Sequence, residues 1–570
     1  MTEPANRPVE SFKQFAAWLA ALFLVVLGAK LWVVQLYGSP LLWWDQWYEA
    51  TTFIKGWLDG QLTWKDYLAP YCEHRILFTR LLDVGTIWLN GRWEPMLQMA
   101  INAFIHTVYV CGLALGLWAG GGRRDGWLIC CLLAPFFALP YAAENTIWAF
   151  NSQAYFLAFF ALPAMAGLVF GKPGDWRWCL GLAVAVLDLF TMASGLLTPL
   201  AIAGLILLRA IRLRRLAGEN LITLGACLAV AGLGAALYVP YEGDRLLRAQ
   251  NLMQFVGALE RNLAWPFFNA PAMACLILLP LIWLAVKYLR RDYPEGRAAK
   301  FPLALGFWGI LQCLALAYGR GNFGEGVPAS RFMDKLNVLA IASLFAWLAL
   351  VRGWFPAAFL KRGAALLPLL WAAIIFLGLV RVSGLVVTDL LVPTRSMNLI
   401  AEERVAAFMA SGDERDLLDP PTVPPDPRVV LGALRDKDLQ AILPAACLPP
   451  AQANVMGRFT GVLQWLLRHA TVLIYCGLGW FIVLVAYGLI RSPAGLAWEN
   501  LPAFAVLLAL LGSLGFVWTK TPVTRNSVEQ ALQFQLAEHF RSINNPRRAA
   551  IHEQKAEALK ASAEGPHGTP

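Results

Sequence analysis

Runs of roughly 20 apolar residues, broken by shorter polar stretches, recur along most of the chain, and that is about the length a helix needs to cross a hydrocarbon core. Read against their flanks, these runs predict about 13 membrane-spanning helices, at 15–37, 95–118, 126–141, 153–170, 177–193, 195–211, 219–239, 268–288, 301–318, 333–351, 364–385, 471–490 and 498–518. The runs at 126–141 and 177–193 are short. The first run follows Lys13 and lacks a small-residue cleavage site, so it reads as a retained span and not a removed signal peptide. The fold class this predicts is an all-α polytopic membrane protein.

The polar stretches sort by charge. Arg123 and Arg124, Lys172 and Arg177, the cluster Arg209, Arg212, Arg214 and Arg215, the cluster Lys287, Arg290, Arg291 and Arg297, and Lys361 with Arg362 fall in every second loop. Positive loops stay in the cytoplasm, so the amino terminus is expected inside and, with an odd count, the carboxy terminus outside. Two long segments are then expected on the outer face. Segment 38–94 alternates aromatic and charged residues at amphipathic spacing, as interfacial helices do. Segment 388–467 is polar and carries LLDPPTVPPDPRVV, which suits a small insert with its own helices. The expected division is a transmembrane core over 1–387, the extracytoplasmic insert over 388–467, further spans over 468–520, and a terminal helix with a disordered tail over 521–570.

Composition agrees: 58% of residues are hydrophobic and only 15% charged, against about a quarter charged in soluble domains. The net charge of +10 sits in short clusters between apolar runs, which topology explains without a nucleic-acid partner. The ten Cys show no CxxC spacing and no zinc pattern. Only Cys72 and Cys447 fall in the outer segments, which leaves one disulfide between them open. No GxxxxGK[ST] loop and no dinucleotide fingerprint occurs, so a donor used on the outer face must arrive through the membrane itself.

Chemistry-bearing residues concentrate in the outer stretches. Asp45, in LLWWDQW among Trp43, Trp44 and Trp47, would lose hydration and gain basicity suited to a general base; a solvated acid beside an aromatic belt is the alternative. Glu73, His74 and Arg75 are adjacent in APYCEHRILF and could serve a proton, a hydroxyl and a phosphate, or simply cap a helix. Glu144 and Asn145 lie in a tight hairpin that also holds Asn151, Ser152 and Gln153, a cluster that should line a cavity or rest at the water interface. Arg320, Arg331 and Lys335 flank the Gly-rich loop of GRGNFGEGVPASRFMDKLN. Cations on that face oppose the topological bias, so phosphate binding accounts for them better. Arg245 and Arg248 read as surface residues. Asp188 is the main charge expected within a span.

The segments WWDQW, EHRILFTRLL, AENTIWAFNSQ, GRGNFGEGVPASRF and PDPRVVLGALRDKDLQAILPAACLPP resemble the GT-C glycosyltransferases, and within them a bacterial membrane group; the resemblance spans nearly the whole chain. It implies a polyprenyl-phosphate-linked sugar as donor, an acceptor outside the cytoplasm, and a bacterial inner-membrane enzyme whose site faces the periplasm. By the same resemblance Asp45 is the preferred base with Glu73 its rival, Arg320 and Arg331 hold the carrier phosphate, and His74, Arg75, Glu144, Asn145 and Lys335 join the substrate site. A single displacement would invert the anomeric centre. The adjacent double acid frequent in the family's first loop is missing here, which leaves a divalent metal open and no metal ligand assigned. The implied sugar is arabinofuranose or a hexose, and the implied acceptor a surface glycan or a protein such as pilin. An O-antigen-type polymerase or ligase and a lipid-linked sugar flippase or transporter are the competing expectations.

Overall fold

A computed structural model describes residues 11–122, 126–216, 218–322, 328–354, 366–418, 426–448, 456–490, 501–542 and 546–564. Ten helices among them are long and apolar enough to cross a membrane, and the only β-bridge among the described residues is an isolated pairing of Tyr71 with His74. The chain is a multi-pass helical membrane protein. Arg123 and Arg124, Lys361 and Arg362, part of the Pro-rich stretch and residues 565–570 lie outside the described residues.

Three expected spans take other forms. Run 177–193 yields the 13-residue helix Trp176–Asp188. It stops where the buried Asp188 carboxylate accepts bonds from Thr198 Oγ1 at 2.7 Å and Thr191 Oγ1 at 3.3 Å, because these polar partners satisfy the acid and turn the chain. Run 268–288 yields Met273–Leu289, a shorter apolar helix of 17 residues. Run 498–518 opens the 42-residue helix Leu501–Ser542, about 63 Å long at 1.5 Å per residue. The span at 364–385 does not end at the polar segment but continues helically to Ser411 through a π-helical turn at Val387–Leu391.

Close packing holds the bundle together. The first span, Phe12–Tyr37, lies against Ala470–Ile490, and a Cβ at Gly28 would come within 2.8 Å of the Ile474 backbone nitrogen. A small residue there lets the backbones approach where no hydrophobic force separates helix from lipid.

On one face, segments 38–94 and 388–467 fold together around a second core. Trp47, Ile54 and Trp93 from the first pack with Val430, Leu434 and Leu439 from the second. Trp93 N donates to Ile442 O at 2.6 Å, and Lys55 Nζ reaches Asp438 at 2.7 Å. Cys72 and Cys447 are both free thiols; Cys447 is committed to this core instead of a disulfide. The terminal helix Pro546–Glu564 folds back on Leu501–Ser542, and Phe540 and Ala549 pack with Ile400. Lys555 pairs with Glu403 at 2.6 Å. The carboxy-terminal hairpin therefore lies on the same face as the two long segments.

Candidate functional site

Short helices in segment 38–94 build one wall of a cavity on this face. Asp45 opens the helix Asp45–Glu49, and its neighbour Gln46 is anchored beneath: Gln46 Nε2 donates to Gln98 Oε1 at 3.3 Å, and Gln98 Nε2 to Asp83 Oδ1 at 2.6 Å. Glu49 binds Arg80 through two hydrogen bonds of 3.1 Å, both side chains buried. Arg80 thus serves the fold of the loop and stands apart from the cavity. Trp44, just before Asp45, holds φ at 44°, and Cys72 holds φ at 50°. Non-glycine residues rarely adopt such φ; each costs about 1–3 kcal/mol and persists only where its surroundings enforce it. Both strained residues border the same cavity.

That cavity, about 310 Å³, is lined by Asp45, Glu73, His74, Asn145, Arg320, Arg331 and Lys335 together with Trp44, Tyr71, Trp148 and Asp244. Seven of the nine sequence-selected site residues therefore meet in one space. Arg75 and Glu144 stand outside the lining. Arg75 donates to the carbonyls of Leu237 at 3.0 Å and Leu68 at 2.6 Å, pinning its loop to the neighbouring bundle. Glu144 lies behind Arg331. Its carboxylate accepts from Arg331 N at 2.7 Å, Arg331 Nη1 at 2.9 Å and Ser330 Oγ at 3.0 Å, so it caps helix Ser330–Trp354 and steers the guanidinium.

Asp45 is held by Tyr71, whose hydroxyl donates to Oδ1 at 2.6 Å. Burial raises the Asp45 pKa above the usual carboxylate range, against the opposing pull of Tyr71 and Arg331. Burial, then the charge of Asp45, pushes the Tyr71 phenol up, so it remains a donor. The turn that pairs Tyr71 with His74 presents Glu73, which shares Arg320 with Asp244: Arg320 Nη2 lies 3.4 Å from Glu73 and 3.2 Å from Asp244. Burial works to raise Glu73, but its hydrogen bond with Asp244 and the Arg320 charge outweigh this and hold it below its ordinary value. Asp244 is pushed up to about 6 by burial and by Glu73, so the pair shares its proton unequally.

Burial, with Lys335 and Arg320 adding to it, drives His74 down to about 3. Its Nδ1 accepts from Ala193 N at 3.3 Å, so the proton resides on Nε2 and the ring is a neutral donor. Both arginines expected to hold phosphate already have carboxylate partners. Among the described residues no carboxylate lies within ion-pair distance of Lys335; its Nζ meets the Met192 thioether at 3.2 Å. Phe332 gathers the three cations over its ring, at 6.0 Å from Arg320, 5.0 Å from Arg331 and 6.0 Å from Lys335.

A second cavity of about 250 Å³ adjoins the first and shares Glu73, His74, Arg320, Phe332 and Lys335 with it. Leu196, Leu197, Ala315 and Leu316 make its lining mainly apolar, and Arg248, expected on the surface, is also part of its wall. The described residues hold no group of three or more His, Cys, Asp or Glu placed to bind a metal ion; Glu73 and Asp244 are turned to Arg320 instead.

Tyr71, Asp244 and Phe332 escaped the sequence reading. A tyrosine two residues before Glu73 and a phenylalanine between Arg331 and Lys335 carry no signal of their own until the chain folds. Asp244 was legible only as an acid beside the exposed Arg245. No protein-family model, curated protein or solved structure matches this chain.

Proposed function

We propose that the chain is a membrane glycosyltransferase that moves a sugar from a polyprenyl-phosphate carrier to an acceptor hydroxyl at the face bearing the two long segments. The observation that carries this reading is the cavity in which Asp45, half-buried and oriented by Tyr71, shares walls with Lys335, Arg320 and Arg331. An apolar chamber joined to it at Lys335 suits a lipid chain, and a lipid-borne donor needs such a route out of the bilayer.

In this reading Asp45 takes the proton of the acceptor hydroxyl as its oxygen forms a bond to the anomeric carbon. The bond from that carbon to the carrier phosphate breaks, and its electron pair leaves with the phosphate. Lys335 and the arginines stabilise the charge that grows there, and His74 offers a neutral N–H. A single displacement inverts the anomeric centre. Asp45 is the preferred base because Glu73 is already engaged with Arg320 and Asp244. Function in the bacterial inner membrane with a periplasmic site, and a pentofuranose or hexose donor, belong to the same proposal.

Purified protein in lipid, given polyprenyl-phosphate sugars and glycan or protein acceptors, should release polyprenyl phosphate. Asp45→Asn should slow release by about 10²- to 10⁴-fold while donor binding persists. Turnover undiminished in Asp45→Asn would exclude this base, and no turnover with any donor would exclude the activity. A flippase or transporter is the second reading, favoured by the buried Lys30 and His106 and the half-buried Asp334 among the spans; it requires transport of a labelled lipid-linked sugar with the glycosidic bond intact.

A further inference from the structure

Asn145 sits on the short buried helix Ala143–Ile147, is 1% exposed, and lines the main cavity. Its side-chain nitrogen donates twice, to the Arg331 carbonyl at 3.0 Å and to Asp334 Oδ2 at 3.0 Å. An amide nitrogen has two hydrogens, so its donors are spent. Both partners are oxygens that accept, and turning the amide over would set its carbonyl against them. The chemistry of the neighbours therefore fixes which end is which. What remains is Oδ1, a buried acceptor with no hydrogen-bond partner among the described residues.

The support below is just as directional. Lys30, buried on the first span, donates from Nζ to Thr146 Oγ1 at 3.2 Å and Tyr155 OH at 3.5 Å, and His106 Nε2 lies 3.7 Å from Asp334. Adjacent residues of one short helix, Asn145 and Thr146, are thus tied to a half-buried carboxylate and a buried cation. Charges placed among spans at this cost to desolvation suit a part whose orientation must not change.

We infer that Asn145 is a specificity-determining residue whose side-chain carbonyl accepts a hydrogen bond from a hydroxyl of the bound sugar, and that Asp334 is the positioning residue that holds it in that sense. This rests on the glycosyl-transfer reading of the cavity. A phosphate at neutral pH presents acceptors and has nothing to give Oδ1, so the carrier phosphate belongs on the Lys335 side and the sugar on the Asn145 side. A buried acceptor left unpaired is penalised, so a ligand lacking that hydroxyl is rejected more strongly than the bare contact would suggest.

The test uses the full-length protein in lipid, with a polyprenyl-phosphate sugar that wild type turns over and the set of its single-deoxy analogues. Wild type should reject one deoxy donor by roughly 10- to 100-fold in kcat/KM. Asn145→Leu should lose a similar factor on the parent donor and little on that analogue, so that discrimination collapses. Asp334→Asn, nearly unchanged in size, should relax the same discrimination partly. Deoxy acceptors form the second arm: a loss confined to them assigns the hydroxyl to the acceptor sugar and overturns the donor placement. Equal use of every deoxy donor by wild type, or full discrimination in a folded Asn145→Leu, overturns the inference alone. A wild type that turns over no lipid-linked sugar overturns the glycosyl-transfer reading, and this inference with it.

Discussion

Replacing Glu144 by alanine removes a helix cap and an ion pair at once, and the two parts can be separated. The cap is the bond from Arg331 N at 2.7 Å, with Ser330 Oγ alongside, and losing a cap costs about 1 kcal/mol. The charged bond to Arg331 Nη1 at 2.9 Å falls in a class that contributes about 1.5–3 kcal/mol. The Arg331 side chain is 32% exposed, and water screening pulls that figure toward the lower end or below it. Together Glu144→Ala should destabilise by about 2–3 kcal/mol. Arg331→Ala keeps its backbone N–H on Glu144 and should cost less, by about the value of the cap. Unfolding in a denaturing detergent, followed by tryptophan fluorescence, gives the four corners of a double-mutant cycle. The expected coupling is about 1 kcal/mol, and additivity within about 0.3 kcal/mol would refute the ion pair as a structural element.

Three further outcomes follow from the same geometry. In Tyr71→Phe the carboxylate of Asp45 loses the donor that opposes its raised pKa, so the base is protonated at higher pH and the acid limb of the kcat/KM profile should move upward; a limb that stays or moves down refutes the role of Tyr71. Lys335→Met should weaken binding of free polyprenyl phosphate by about 10-fold or more, read by fluorescence titration, and an unchanged Kd would remove Lys335 from the phosphate site. Asp83 is buried, and burial raises its pKa well above the ordinary value. The folded chain then binds this proton more tightly than the unfolded chain, so its contribution is full below about pH 4 and is lost as pH rises through the folded value. Asp83→Asn still offers an acceptor to Gln98 and should be more stable than wild type at pH 8, with the difference shrinking toward pH 4. Equal or lower stability at pH 8 would contradict this.

Hydrophobic periodicity alone determined that the chain is helical and crosses a bilayer many times, because a lipid environment tolerates little else and leaves its length in the sequence. It also marked most of the site: charged and amide residues beside apolar runs are costly, so Asp45, Asn145, Arg331 and Lys335 stood out before any contact was known. Tertiary structure alone decided which of these charges are already satisfied. Arg331 is bound by Glu144, 187 positions away in sequence, and Arg320 by Glu73 and Asp244, and no local pattern encodes pairings between distant helices. The same holds for run lengths. The helix of run 177–193 stops at Asp188 because Thr198 lies beside it in space, and the span at 364–385 continues to Ser411 because Ala401, Val405 and Phe408 pack in the second core and Ile400 packs on the terminal hairpin. Hydropathy records the cost of each residue in lipid; it does not record the partner that offsets that cost.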